Sequence, residues 1–228
     1  MTVHGYIFRY RISGAVKYEG IRKIDYVIIT HPDTDHISGI QEMLETVPDQ
    51  IGNLLIPYVP DNEHYADLVS LAETRGVEVR NLYRGMRIQD GDLQFTCLYP
   101  PAGYRSDDIN SYSAVLDLRY GAFSALFTGD LGADGEEYLL RTGLKGTYDL
   151  LKVAHHGSRF STTESFLKRV DPGTALISAG VNNSYGHPHA ETLERLMETG
   201  ADIYCTADSG EIVLEADMQG RVKIRTKI

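Results

Sequence analysis

Ile24-Asp25-Tyr26-Val27-Ile28-Ile29-Thr30-His31-Pro32-Asp33-Thr34-Asp35-His36 runs from an apolar stretch into two imidazoles and two carboxylates. Four such side chains at the end of a buried strand are costly unless something positive gathers them, so this density calls for a metal. His31 and Asp33 are two apart and face the same way in an extended segment, whereas the adjacent Asp35 and His36 are expected to diverge. One short loop can therefore serve two neighbouring ions. Beyond it Ile37, Ile40, Met43, Leu44 and Val47 recur at helical spacing, which puts the ligands at a strand-to-helix corner. That corner is where α/β enzymes keep their sites.

Outward from this stretch, short strand-like and helix-like pieces alternate without a linker or a low-complexity tract, so 1–228 is expected to be a single hydrolase domain. The patterning predicts strands at 24–30, 53–59, 77–83, 86–90, 93–99, 113–120, 123–128, 149–154, 174–179, 202–206, 211–216 and 221–227. It predicts helices at 36–47, 62–75, 134–142, 162–170 and 189–199, with Asp61 and Ser161 as N-caps and Gly76, Gly143 and Gly200 as stops. Asp90-Gly91, Gly121-Ala122 and the Asp217 to Gly220 segment supply hairpin turns. Mostly antiparallel hairpins interleaved with amphipathic helices predict an α+β class with αββα architecture, two packed mixed sheets with helices on the outer faces.

Composition excludes several alternatives. With 42% hydrophobic and 24% charged residues in 228, the chain is ordinary for one folded domain. Cys97 and Cys205 lie far apart in no paired motif, which argues against a disulfide framework or a thiolate zinc site and for reduced, buried thiols. No apolar run approaches the roughly 18 to 20 residues of a membrane span, and the N-terminus lacks a secretory pattern. A soluble, cytoplasmic protein is expected. The net charge of −10 speaks against a broad basic surface of the kind that holds DNA unaided. It leaves a phosphate substrate open, because bound divalent ions invert the local field. Arg80, Arg84 and Arg87, and Lys152 and Arg159, gather locally, and the simpler reading of such charges is a solvated face.

Three further clusters stand where strands should end. Leu126-Phe127-Thr128-Gly129-Asp130 delivers a carboxylate that can bridge two cations, with Gly129 allowing close backbone approach. Leu151-Lys152-Val153-Ala154-His155-His156-Gly157-Ser158 runs from an apolar strand into imidazoles, and Tyr185-Gly186-His187-Pro188-His189 follows the strand at 174–179. A lone histidine is usually structural, but six of the eight sit at strand exits, His4 and His64 being the exceptions.

Together, His-Pro-Asp-Thr-Asp-His at 31–36, Thr-Gly-Asp at 128–130, His-His-Gly-Ser at 155–158 and Gly-His-Pro-His at 186–189 resemble the metallo-β-lactamase superfamily. The chain is most similar to the hydrolase domain of ComEC-type DNA-internalisation competence proteins, from about Gly20 to Gly210. The resemblance implies the αββα fold, two divalent ions (zinc or manganese), and a phosphodiesterase or nuclease that degrades a DNA strand. It implies His31 and Asp33 on the first ion, Asp35 and His36 on the second, and Asp130 bridging them. It further implies His187 as a ligand on the second ion and His155 on either the first ion or the scissile phosphate. For His156 it implies phosphate contact or support of the loop, and for His189 a place at the helix N-terminus that orients the turn. Asp35, His155, His156 and His187 are the candidate catalytic residues, one of the histidines protonating the leaving alkoxide.

Departures in the ligand set and at the N-terminus qualify the transfer. Asp33 stands where many members carry a second histidine, and this harder ligand shifts the preference from zinc toward manganese. The usual histidine before the bridging aspartate has no counterpart, the 107–113 loop offering Asp108, Asn110 and Ser111 instead. Residues 1–19 lack the family's N-terminal hairpin segments and are expected to form at most one replacement strand, which points to a truncated chain or an incomplete gene product. The membrane channel of competence proteins is missing too, so DNA transport by this chain alone is excluded. The expected partner is nucleic acid or a small phosphodiester, on the extracellular face if the chain serves a competence system. Two other readings stay open: hydrolysis of a lactone or thioester, and a non-catalytic binding module. Tyr6–Tyr10 and Tyr58–Tyr65 could stack bases, although packing is the simpler explanation.

Overall fold

The computed structural model describes residues 12–59 and 63–227, which form two compact units. The first comprises residues up to Leu82 together with Ala102–Tyr112. Its first described element is a helix, α1 (Ser13–Tyr18), followed by Gly20 at φ 69°. Part of the expected replacement strand is thus helical, and the rest of it lies outside the described residues. There follow β1 (Ile24–Ile28), α2 (Thr34–Thr46), β2 (Ile51–Pro57), α3 (Glu63–Thr74) and β3 (Glu78–Leu82). β1, β2 and β3 pair in parallel in that order, with Val27 opposite Leu54 and Leu54 opposite Val79. This sheet is therefore wholly parallel rather than mixed. A helix intervenes between each pair of consecutive strands, the crossover that parallel pairing needs. Gly52 is required at the β1–β2 contact, because a Cβ there would lie 2.5 Å from the Asp25 carbonyl oxygen. Leu54, Leu55 and Ile56 form the continuous buried run expected of a covered parallel strand. Leu54 and Ile56 join Met43, Leu44, Tyr65, Leu68 and Val77 in the core, each large apolar side chain contributing about 1.5 to 3 kcal/mol on burial.

The second unit comprises Tyr83–Pro101 and Ser113–Ile228. Its elements are β4 (Arg87–Asp90), β5 (Leu93–Tyr99), β6 (Val115–Tyr120), β7 (Phe123–Phe127), α4 (Ala133–Arg141), β8 (Leu150–Lys152), α5 (Glu164–Val170), β9 (Thr174–Ile177), α6 (Ala190–Thr199), β10 (Asp202–Cys205), the short α7 (Thr206–Ser209), β11 (Glu211–Ala216) and β12 (Val222–Lys227). Seven strands form a mixed sheet in the order β10-β9-β8-β7-β6-β5-β4. β4 to β7 are antiparallel neighbours, as the Asp90-Gly91 and Gly121-Ala122 turns require, and β7 to β10 are parallel. β11 and β12 form a separate antiparallel hairpin whose Leu214 and Ala216 pack on Phe123, Ala125 and Leu150.

β8 stops at Lys152 rather than continuing to 154, because His155 and His156 adopt left-handed backbone at φ 47° and 53°. α5 starts at Glu164, and its N-cap is Thr163, whose hydroxyl accepts from the Phe166 N–H. Ser161, the expected cap, is instead buried with its hydroxyl donating to the Ala154 and Ser158 carbonyls. Asp61 lies outside the described residues. Gly200 closes α6 at φ 78°, and Cys97 and Cys205 are buried free thiols. Among the described residues no helix is long and apolar enough to cross a membrane.

Candidate functional site

In the first unit the chain leaves the sheet after β1 and turns into α2, with Asp33 in extended conformation at φ −63° and ψ 145° immediately before the helix. His31 is fully buried, and its Nε2 lies 3.6 Å from Asp33 Oδ2. His36 Nε2 lies 3.5 Å from Asp35 Oδ2, so these adjacent side chains converge rather than diverge. The reason is that Thr34 already begins the helix, where the two-residue alternation of a strand no longer applies. The two imidazole centroids are 4.0 Å apart. Thr30 Oγ1 reaches both Nδ1 atoms, at 3.1 Å and 3.2 Å. A hydroxyl oxygen has two lone pairs and can accept both Nδ1–H groups, which turns both Nε2 lone pairs toward the carboxylates. Facing lone pairs of nitrogen and carboxylate oxygen suit a shared cation, and mixed imidazole and carboxylate donors suit zinc, manganese or iron. Tyr65 of α3 is buried nearby, its phenol held protonated first by burial and then by the charge of Asp33.

In the second unit, β7 and β8 deliver their C-terminal residues side by side at the place where the sheet changes from antiparallel to parallel. Asp130 is almost wholly buried, and its backbone N–H donates to Ser113 Oγ at 3.0 Å. Its Oδ2 lies 3.4 Å from His156 Nε2 and 4.0 Å from His155 Nε2. His156 Nδ1 is 2.7 Å from the Ser178 carbonyl oxygen, which can only accept, so Nδ1 carries the proton and Nε2 presents its lone pair to Asp130. A ring nitrogen tied to a backbone carbonyl is how metal-binding histidines are oriented. His187 lies with its ring centroid 5.7 Å from His155 and 6.1 Å from His156. Burial, then the neighbouring histidines, lowers its pKa, with Asp130 opposing. His187 N–H donates to Asn183 Oδ1, which folds the 183–187 loop onto itself. His189 Nδ1 accepts from the Arg159 N–H at 3.1 Å, so this residue supports the turn.

The loop that carries His155 and His156 is braced from two helices. Glu136 of α4 accepts from the N–H groups of Thr162 and Thr163 and from Thr163 Oγ1. Arg195 of α6 donates to the carbonyls of Thr162, Ser161 and Arg159. Left-handed backbone at two consecutive non-glycine residues costs of order 1 to 3 kcal/mol each and persists where surrounding structure over-determines it. Sequence reading missed Thr30, Ser178, Asn183, Glu136 and Arg195. For Glu136 the available signal is a carboxylate on the inward stripe of an amphipathic helix. Not all of the basic residues face a ligand: Arg159 pairs with Glu191 at 3.0 Å and Arg80 with Glu78 at 2.8 Å. The half-buried Lys152 donates to the Val153 carbonyl, and burial lowers its ammonium pKa against the pull of Asp130. Ser158 is buried.

The family model of the metallo-β-lactamase superfamily matches residues 10–181. The chain belongs to the metallo-β-lactamase superfamily. Within that superfamily it is similar to ComE operon protein 3 of Bacillus subtilis (strain 168), 36% identical over 196 residues, which are 85% of this chain and 25% of that protein. Recombination protein 2 of Haemophilus influenzae and competence protein ComA of Neisseria gonorrhoeae are each 31% identical over 194 residues, 85% of this chain and 22% and 25% of theirs. The chain thus spans about a quarter of the length of the curated relatives it matches. Among solved structures, the metallo-β-lactamase fold protein YhfI from Bacillus subtilis aligns with a TM-score of 0.54 at 15% identity, covering 94% of this chain and 83% of that one. The diiron β-hydroxylase CmlA from Streptomyces venezuelae aligns with a TM-score of 0.57 at 13% identity, covering 80% and 43%. These likenesses establish a metallo-β-lactamase fold of α+β class, one that usually binds divalent metals.

Proposed function

We propose that this chain is a two-ion phosphodiesterase or nuclease acting on DNA or another phosphodiester, its two units working as one hydrolase domain. The observation that carries the proposal is the Asp130 carboxylate, buried and faced by the Nε2 atoms of His155 and His156. The ligands are His31, Asp33, Asp35 and His36 in the first unit and Asp130, His155 and His187 in the second. His156, with its Nδ1 tied to Ser178, has the orientation of a ligand and shares this role with His155. When bound there, zinc or manganese would supply charge neutralisation at phosphate and acidify a water. Asp33 in place of a nitrogen donor favours manganese. Whichever of His155, His156 and His187 is not engaged by an ion would donate the proton to the leaving alkoxide. Asp35, its Oδ2 3.5 Å from His36 Nε2, would share an ion with His36.

The relatives named for competence and recombination favour DNA as substrate. In a competence system the chain would work on the extracellular face, and otherwise in the cytoplasm. Because Arg159 is engaged by Glu191, fewer cations face the cluster than a phosphate site usually gathers. That observation keeps a carbonyl substrate, a lactone or a thioester, as the second reading.

The test is hydrolysis of an aryl phosphodiester by metal-stripped protein refilled separately with manganese and zinc. Activity restored by metal and reduced at least 100-fold in Asp130→Asn is expected. Stoichiometric metal without turnover would transfer the proposal to carbonyl substrates, and unchanged metal content in Asp130→Asn would remove Asp130 from the ligand set.

A further inference from the structure

Two large aromatic side chains stand in solvent at the rim of the second unit's histidine cluster. Tyr185 is 76% exposed and Phe160 74%. Tyr185 packs beside His187 in a strongly offset, near-parallel arrangement, ring centroids 5.7 Å apart and planes 17° from parallel, and most of its ring stays open to solvent. His187 meets His189 edge-on at 4.8 Å, and His189 accepts from the N–H of Arg159, the residue before Phe160. Both aromatic side chains are carried by hydrogen-bonded loops. Asn183 ties the Tyr185 loop to Gly180 and to His187, and the Phe160 carbonyl accepts from the Ala133 N–H at 3.2 Å. Beside a cluster of imidazoles, an exposed aromatic face offers a surface on which another flat ring can stack.

We infer that Tyr185, extended by Phe160, is a platform on which a base of single-stranded nucleic acid stacks, setting the adjoining phosphodiester against the histidine cluster. Stacking is the natural ligand chemistry for an outward-turned aromatic face, and it is tolerant of base identity. It selects single strands, because in a duplex both faces of each base are already covered by neighbours. It also relieves the shortage of cations, since affinity comes from the bases and less is asked of basic residues in a chain of net charge −10. Tyr185 and Phe160 are specificity-determining residues and take no part in bond cleavage. The inference rests on the reading of the cluster as a phosphodiester site, and the experiment separates the two.

Metal-loaded protein is mixed by stopped flow with an oligonucleotide carrying 2-aminopurine, and the fluorescence quench is read before turnover. Hydrolysis is then followed on that strand and on one made abasic at the same position. The wild type is expected to quench the probe and to prefer the base-containing strand. In Tyr185→Leu the preference, as a ratio of kcat/KM values, is expected to fall roughly 5- to 100-fold. It survives in Tyr185→Phe and falls by a smaller factor in Phe160→Ala. Equal losses on both strands in Tyr185→Leu would overturn the platform and leave Tyr185 as a support for His187. Hydrolysis without quench or base preference in the wild type would also overturn it while keeping the phosphodiesterase. A Tyr185-dependent quench without cleavage of either strand would keep the platform and sink the phosphodiesterase.

Discussion

At Gly157 a single added carbon meets structure on two counts. Its φ of 85° disfavours any side chain, and a Cβ would lie 2.6 Å from Pro188 Cβ, at the turn that carries His187 and His189. Gly157→Ala is expected to destabilise the protein by about 1 to 3 kcal/mol in urea denaturation and to lower metal content at the second cluster. An unchanged unfolding midpoint would mean that the turn yields freely. The thiols behave oppositely. Burial pushes Cys97 up to about 12, with its Sγ against the Tyr99 carbonyl, and Cys205 is buried as well. Native protein is expected to resist a thiol reagent at pH 8 and to react at two sites once unfolded. Fast labelling of the native state would contradict this packing. Tyr65 shows how little identity alone decides: it is fully buried, whereas Tyr58, seven residues earlier, is 42% exposed. The Tyr6–Tyr10 segment lies outside the described residues.

The element that matters most for chemistry is the loop from Ala154 to Thr163, which has no regular pairing of its own and depends on side chains from α4 and α6. Arg195→Met removes the bonds to three loop carbonyls and to Thr192 Oγ1, and a loss of about 2 to 3 kcal/mol in unfolding free energy is expected. Glu136 adds a pH dependence. Burial raises its pKa, while the Thr163 and Thr162 donors and then the charge of Arg195 oppose the rise. The folded state therefore binds this proton more tightly than the unfolded one, so its stabilising contribution is complete below the ordinary carboxyl value and is lost as pH rises through the raised value. Glu136→Gln removes the titration. Urea titrations at pH 4, 6 and 8 are expected to show the wild type losing stability relative to this variant as pH rises, and a constant difference would refute the assignment. None of this bracing is visible locally, because Glu136 and Thr163 are 27 residues apart and Arg195 and Thr162 are 33 apart.

For the whole molecule the accessible measurement is linkage between metal and stability. A ligand at 100 times its dissociation constant adds about 2.7 kcal/mol to a folded state that alone binds it. Manganese or zinc is expected to raise Tm by several degrees, chelator to reverse the rise, and Asp130→Asn to diminish it. Identical melting with metal and with chelator would count against any metal site formed on folding. The acidic net charge sharpens this expectation, since clustered carboxylates repel one another until a cation joins them. What the amino-acid order determined by itself was local: apolar runs that become β1, β7, β8 and β9, the helical period after His36, and ligand-type residues at the exits of those strands. Period and turn chemistry act over a few residues, so these were legible. Tertiary structure alone decided that β1, β2 and β3 pair in parallel, that Asp35 swings back onto His36, and that His155 and His156 take left-handed backbone. It also decided that Ser178, 22 residues away, fixes the proton of His156. Each of those outcomes depends on which distant groups close packing brings within a hydrogen bond, and no local pattern carries that information.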